Sequence, residues 1–138
     1  VTTIADAVRF IEMLRRGGSL DGLRILSPTL TAYALRNHTG DQSNGFWGYS
    51  REERGIEPFP ARFTLLGGYT RSKGHHIAAM GLTASLGSCA TVGSGSTMLM
   101  FGPERRLSFT FLSAGFLEGL HQFRRLQRLS DLALAAAS

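Results

Sequence analysis

The stretch VGSGSTMLMFGPERRLSFTFLSAG, residues 92–115, limits the folds open to this chain more than any other part of it. Its apolar residues fall into two runs on either side of Gly102-Pro103-Glu104-Arg105, a turn sequence that continues neither a strand nor a helix. In the second run Leu107, Phe109, Phe111 and Ser113 alternate with Ser108, Thr110 and Leu112, so one face is more apolar than the other. The pattern predicts one strand over 89–101, a turn over 102–105 and a returning strand over 106–113. Gly93, Ser94 and Gly95 are unusual inside a strand, because glycine has no side chain to pack there. Such glycines either form a bulge or packing contact, or leave the backbone bare for a ligand to approach.

Helical signals bracket this region. Ile4, Ala7, Val8, Ile11 and Leu14 follow helical spacing, with Thr2 or Thr3 as cap and Gly17-Gly18 as the stop. Asp21-Gly22 marks a turn before the short apolar segment LRIL. Ser27-Pro28 opens a second helix running to about Arg36. From Asn37 to Pro60 the chain is polar and broken by glycine and proline, a long loop that Phe46, Trp47 and Phe59 could anchor. Residues 61–70 read as a strand and 71–87 as a loop, and 116–137 carry an apolar stripe at helical spacing. The order helix, helix, loop, three strands, helix predicts an α+β fold with an antiparallel sheet flanked by helices and the last helix across one face. Such a sheet keeps an exposed edge, which a partner segment would cover.

The chain has 138 residues, enough for one ordinary domain, and no repeat or low-complexity run. Its net charge of +5 invites a nucleic-acid partner, but fourteen of the fifteen basic residues are arginines spread along the sequence. Only Arg124, Arg125 and Arg128 cluster, without interleaved aromatics, so they read as a solvated helix face and no nucleic-acid partner is expected. No stretch is long and apolar enough to predict a membrane span. Cys89 is the single cysteine, which excludes an internal disulfide and a cysteine-based zinc site. His75 and His76 are adjacent and would point apart on an extended segment, and no carboxylate pattern accompanies them, so no metal or other cofactor is expected. His38 beside Asn37 and Asp41 reads as a loop histidine, His121 as a helix surface residue, and Cys89 as a small core residue.

Two segments are similar to one known family. ADAVRFIEMLRRGGSLDGLRILSPTLTAYALRNHTGD resembles the C-terminal region of the β-lactamase-related serine hydrolases, in which a helix ending in LLNGG precedes LDG and LSP. FGPERRLSFTFLSAG resembles the family's DPERGLAFVFLTN segment. The family includes class C β-lactamases, penicillin-binding proteins and esterases, and the resemblance spans essentially the whole chain. It implies that residues 1–138 are the C-terminal portion of one β-lactamase-like (transpeptidase-like) domain, with the acylating half upstream on the same domain. Val1 in place of an initiator methionine reads as a processed product or a fragment.

The resemblance also implies a site. Family members acylate a serine of a Ser-x-x-Lys motif, helped by Tyr-x-Asn, beside a third motif of Lys- or His-x-Gly on a sheet edge. Thr91 would take the basic position of that third motif, with Val92 and Gly93 completing it. The backbone N–H of Ser94 would be half of the oxyanion hole, and Gly93 and Gly95 would keep the strand bare for an ester or amide substrate. Removing such a donor typically costs roughly 3–4 kcal/mol of barrier.

The departures are equally plain. Lys73, the only lysine, follows Thr70 rather than a serine, and Tyr33, Tyr49 and Tyr69 are not followed by x-Asn. Thr91 is not basic, and no Gly-x-Ser-x-Gly elbow exists. The chain alone therefore carries no nucleophile or base and is expected to be inactive by itself. One rival is a non-catalytic relative that binds or scaffolds. Another is a basic module docking its last helix on an acidic or membrane surface, which the absence of a separate exposed apolar face disfavours.

Overall fold

Thr3, rather than Thr2, starts the first helix. Its hydroxyl accepts the Asp6 backbone N–H at 3.2 Å and its own N–H reaches the Asp6 carboxylate at 3.4 Å, a reciprocal cap. The Thr3 hydroxyl also donates to the Asp6 carboxylate at 2.7 Å, and this bond, with the one from the Thr3 backbone N–H, holds the Asp6 carboxyl below its usual range. The computed structural model describes residues 2–45, 48, 52–53, 55, 59–66, 68–73, 79–117 and 119–137. Helix α1 spans Ile4–Arg15. It ends in a Schellman turn, with Gly18 N–H on the Met13 carbonyl at 2.9 Å, Gly17 N–H on that of Leu14 at 3.0 Å, and Gly17 left-handed at φ 68°.

Strands β1 (Ser19–Leu20) and β2 (Leu23–Arg24) pair around Asp21-Gly22. Both turn residues have positive φ (51° and 78°), the requirement of a two-residue type I′ hairpin. Helix α2, Pro28–Ala34, begins where Ser27 and Pro28 predict, with the Ser27 hydroxyl accepting the Leu30 N–H at 3.1 Å.

The central sheet is four-stranded and antiparallel in the order β3-β4-β5-β6. Its strands are β3 (Tyr69–Thr70), β4 (Cys89–Gly93), β5 (Thr97–Gly102) and β6 (Leu107–Phe111). Side-chain alternation gives it two buried faces. On one, Ala90, Met98, Met100 and Tyr69 meet Phe123, Leu126 and Leu134 of the last helix, α3 (Gly119–Ala136). On the other, Cys89 and Phe101 meet Ile11, Met13 and Leu14 of α1. The α+β class and the antiparallel sheet between helices thus agree with the sequence pattern.

Three predicted elements differ. The single strand over 89–101 is two strands, because Ser94–Ser96 turn the chain back and pair Gly93 with Thr97. Ser96 supplies the left-handed residue (φ 58°) that closes a three-residue hairpin loop, so CATVG and TMLMFG face each other. Periodicity could not separate them, since both runs suit a strand. The predicted strand over 61–70 keeps only Tyr69–Thr70 in the sheet. Arg62 is left-handed (φ 47°) and Thr64 N–H closes on the Gly68 carbonyl at 2.8 Å, so the segment folds back on itself. The last helix begins at Gly119, not at Phe116, which is 83% exposed.

The loop over 79–88 docks on α3. Asp131 accepts the N–H groups of Leu82 and Thr83 at 3.3 and 3.0 Å, and the Ser130 hydroxyl accepts that of Gly81 at 2.7 Å. Phe59 is buried and anchors the 37–60 loop as expected, whereas Phe46, Trp47, His75 and His76 lie outside the described residues. Among the described residues no helix is long and apolar enough to cross a membrane, and no group of three or more His, Cys, Asp or Glu is placed to hold a metal ion.

Candidate functional site

The residues named from sequence sit together at the distal end of β4 and in the turn that follows. Thr91, Val92 and Gly93 are the last three residues of the strand, and Ser94 and Gly95 belong to the turn rather than to the strand. β3 registers only with Cys89 and Ala90. Among the described residues, then, no strand pairs with Thr91, Val92 or Gly93 on that side of β4, while β5 pairs with all three on the other. Val92 packs toward the α3 face of the sheet, and Thr91 lines a cleft on the α1 face. Ser94 is exposed at the tip of the hairpin.

The two glycines have different physical grounds. A Cβ on Gly93 would lie 2.5 Å from the Thr97 hydroxyl across the hairpin, so this glycine makes room for its own cross-strand partner. A Cβ on Gly95 would meet only the Ser113 carbonyl at 3.8 Å, an ordinary contact. Packing therefore accounts for Gly93 and leaves Gly95 without a steric requirement.

The turn is held from behind by α3 and by the segment after β6. Gln122, buried on α3, donates its side-chain amide to the Gly93 carbonyl at 2.7 Å. The Ser113 hydroxyl lies 3.2 Å from the Gly95 carbonyl and 3.0 Å from that of Ser96, and Arg125 donates to the Ser113 hydroxyl at 2.8 Å. The Arg125 guanidinium also stacks over Phe111 at 5.3 Å. Arg125 is thus half-buried in the turn's support, not part of a solvated face, while Arg124 and Arg128 are exposed as predicted.

Sequence reasoning did not find Gln122 or Ser113. A signal for Gln122 existed: it shares a helical row with Leu126, Ser130 and Leu134, all buried. A polar side chain on such a row needs a partner. Gln122→Leu is expected to lower stability by about 1–2 kcal/mol in urea unfolding and to speed hydrogen exchange in the 93–96 turn, because the Gly93 carbonyl loses its donor. The exposed Arg124→Leu should change stability by less than about 0.5 kcal/mol.

The remaining candidates fall away from this cluster. His38 lies edge-on to Tyr33 at 4.9 Å, with its Nε2 2.8 Å from the Tyr33 carbonyl oxygen, a local role. Cys89 is buried and burial pushes its thiol up to about 11, so it stays protonated at neutral pH and is no nucleophile. Chemically, the cluster offers the exposed Ser94 at the tip of a turn, at the end of a strand that no described strand pairs on that side, with two unactivated hydroxyls, Thr91 and Ser94, and no acidic or basic side chain among its five residues. No known family model matches this chain, and no curated protein matches it.

Proposed function

We propose that this chain is the C-terminal part of a β-lactamase-related serine hydrolase, cleaving esters or amides through an acyl-enzyme. Residues 1–138 would be one portion of a β-lactamase-like domain whose acylating half, bearing Ser-x-x-Lys, comes from the preceding segment of the same domain. Thr91, Val92 and Gly93 form the substrate-side edge, and the Ser94 backbone N–H is one oxyanion donor. The observation that supports this reading is that, among the described residues, no strand pairs with β4 beyond Ala90 on the β3 side, and Ser94, which follows the segment assigned to the third motif, is exposed at the tip of the turn. A substrate carbonyl can approach that edge, and a turn fastened through Gln122 and Arg125 suits a donor that must not reorganise during reaction.

One observation favours a second reading, a catalytically inactive relative that binds or scaffolds. Thr91 stands where the family carries a lysine or histidine, and a neutral hydroxyl cannot supply that residue's charge. Native intact mass before and after a chromogenic ester separates the two. A complex heavier than the chain's 15.0 kDa that gains an acyl group supports the hydrolase. A lone 15.0 kDa species that never acylates supports the inactive relative.

A further inference from the structure

Helix α3 carries a row of basic side chains on one side. His121, Arg124, Arg125 and Arg128 are spaced three and four residues apart, so they are neighbours on the helix surface and span about 10 Å of its length. With Leu129 they line a groove of about 370 Å³, within the range of small-ligand sites, roughly 300–1,000 Å³. Among the described residues no carboxylate lines it. Asp131, the only carboxylate within α3, serves the 79–88 loop, where it accepts the Leu82 and Thr83 N–H groups at 3.3 and 3.0 Å. His121, Arg124 and Arg128 are exposed and make no hydrogen bond or ion pair among the described residues. The arginines of the first helix differ: Arg9 pairs with Asp21 at 2.8 Å, and Arg15 and Arg16 pair with Glu12 at 2.8 and 3.0 Å.

Helix stability does not account for this row. Like charges three and four residues apart weaken a helix, and Arg124 to Arg128 lie in the middle of α3, away from the last turn where the helix dipole favours cations. Arg125 is fixed in place, because its Nη2 donates to the Ser113 hydroxyl at 2.8 Å and to the Ser96 carbonyl at 3.4 Å. Its Nε is buried without a hydrogen-bond partner, so this guanidinium is short of acceptors. Arg124 and Arg128 beside it are free to turn their planar forks onto oxygens. A single carboxylate would match one of the three guanidiniums, whereas several anionic oxygens a few ångströms apart match them together. From this we infer that the groove binds a small ligand bearing a diphosphate group, held by Arg124 and Arg128 against the fixed charge of Arg125. Among the described residues no aromatic side chain lines the groove to stack a base, and Leu129 is its one apolar residue, so a nucleic acid or a membrane surface fits it less well. This site does not depend on the hydrolase reading.

Isothermal titration of the 138-residue chain with inorganic diphosphate at low salt tests this, with acetate as the comparison anion. The expected result is saturable one-to-one binding of diphosphate and no measurable binding of acetate. Arg124→Gln should weaken diphosphate at least about tenfold, the loss of one charge-assisted contact. Arg124→Gln combined with Arg128→Gln should abolish saturable binding. Arg36→Gln, which removes an exposed arginine just after α2, should leave affinity unchanged. Urea unfolding curves matching the parent's keep a binding loss in these surface variants separate from a folding defect. An equal loss with Arg36→Gln would mean diffuse charge attraction and overturn the site. Failure to bind free diphosphate overturns it as well, and binding instead to vesicles of equimolar phosphatidylglycerol and phosphatidylcholine would assign the row to a membrane surface.

Discussion

Gly18→Ala is expected to cost about 3–4 kcal/mol of folding stability, roughly twice the cost of Gly17→Ala one residue earlier. Both positions are left-handed, at φ 68° for Gly17 and 92° for Gly18, so each alanine carries about 1–2 kcal/mol of backbone strain. Only Gly18 is also crowded. A Cβ there would lie 2.3 Å from the Leu26 carbonyl oxygen and 2.7 Å from the Thr31 hydroxyl, whereas Gly17 has nothing within 4 Å. The obstacle is backbone, and that backbone is tied to Gly18 itself: Ile25 and Leu26 donate to the Gly18 carbonyl at 2.8 and 3.0 Å. The turn, the β1–β2 hairpin and the start of α2 must therefore shift together, adding an overpacking cost of about 1–3 kcal/mol. Urea unfolding of the two variants is the check. Equal losses would mean that the segment around Leu26 yields freely and that the contact has no weight.

Acid should destabilise the protein through Glu12. This carboxylate accepts Arg15 Nε and Nη2, both at 2.8 Å, and Arg16 Nε at 3.0 Å. It also accepts the Ser108 hydroxyl of β6, fastening α1 across the sheet. The Arg15 bonds, with help from Ser108 and Arg16, hold its pKa at about 2, below the ordinary 4.5. A carboxyl with a depressed folded-state pKa adds stability that is complete above the unfolded value and disappears as pH falls through the folded one. The window is therefore pH 4.5 down to about 2. Unscreened, the shift would correspond to about 3 kcal/mol; solvent contact at this helix surface reduces the expected contribution to about 1–2 kcal/mol. Glu12→Gln should lose that amount at pH 7 and flatten the acid limb between pH 4.5 and 2. A variant whose stability falls just as steeply across that window would assign the acid sensitivity to other carboxylates.

What the sequence determines by itself is local. Thr3 with Asp6, Gly17-Gly18, Asp21-Gly22 and Ser27-Pro28 each mark an element boundary, because caps and turns are set by bonds and backbone angles within a few residues. The alternation of Leu107, Phe109 and Phe111 likewise marks β6 and its apolar face. Thr91 to Gly95 could also be picked out, as a glycine-rich run inside a stretch that reads as one strand. Tertiary structure alone decides that 89–101 breaks into two strands, since the left-handed turn at Ser96 is occupied by a serine and its carbonyl is held by Ser113. It alone decides that 61–70 folds back, because Phe63 bridges antiparallel to Tyr69 of the same segment: the Arg62 carbonyl accepts the Thr70 N–H at 3.0 Å. Gln122, Arg125 and Ser113 come to the candidate turn from 17 to 29 residues away. The spacing of residues along a chain carries no record of such contacts, because their geometry exists only once two faces of one sheet are packed between α1 and α3.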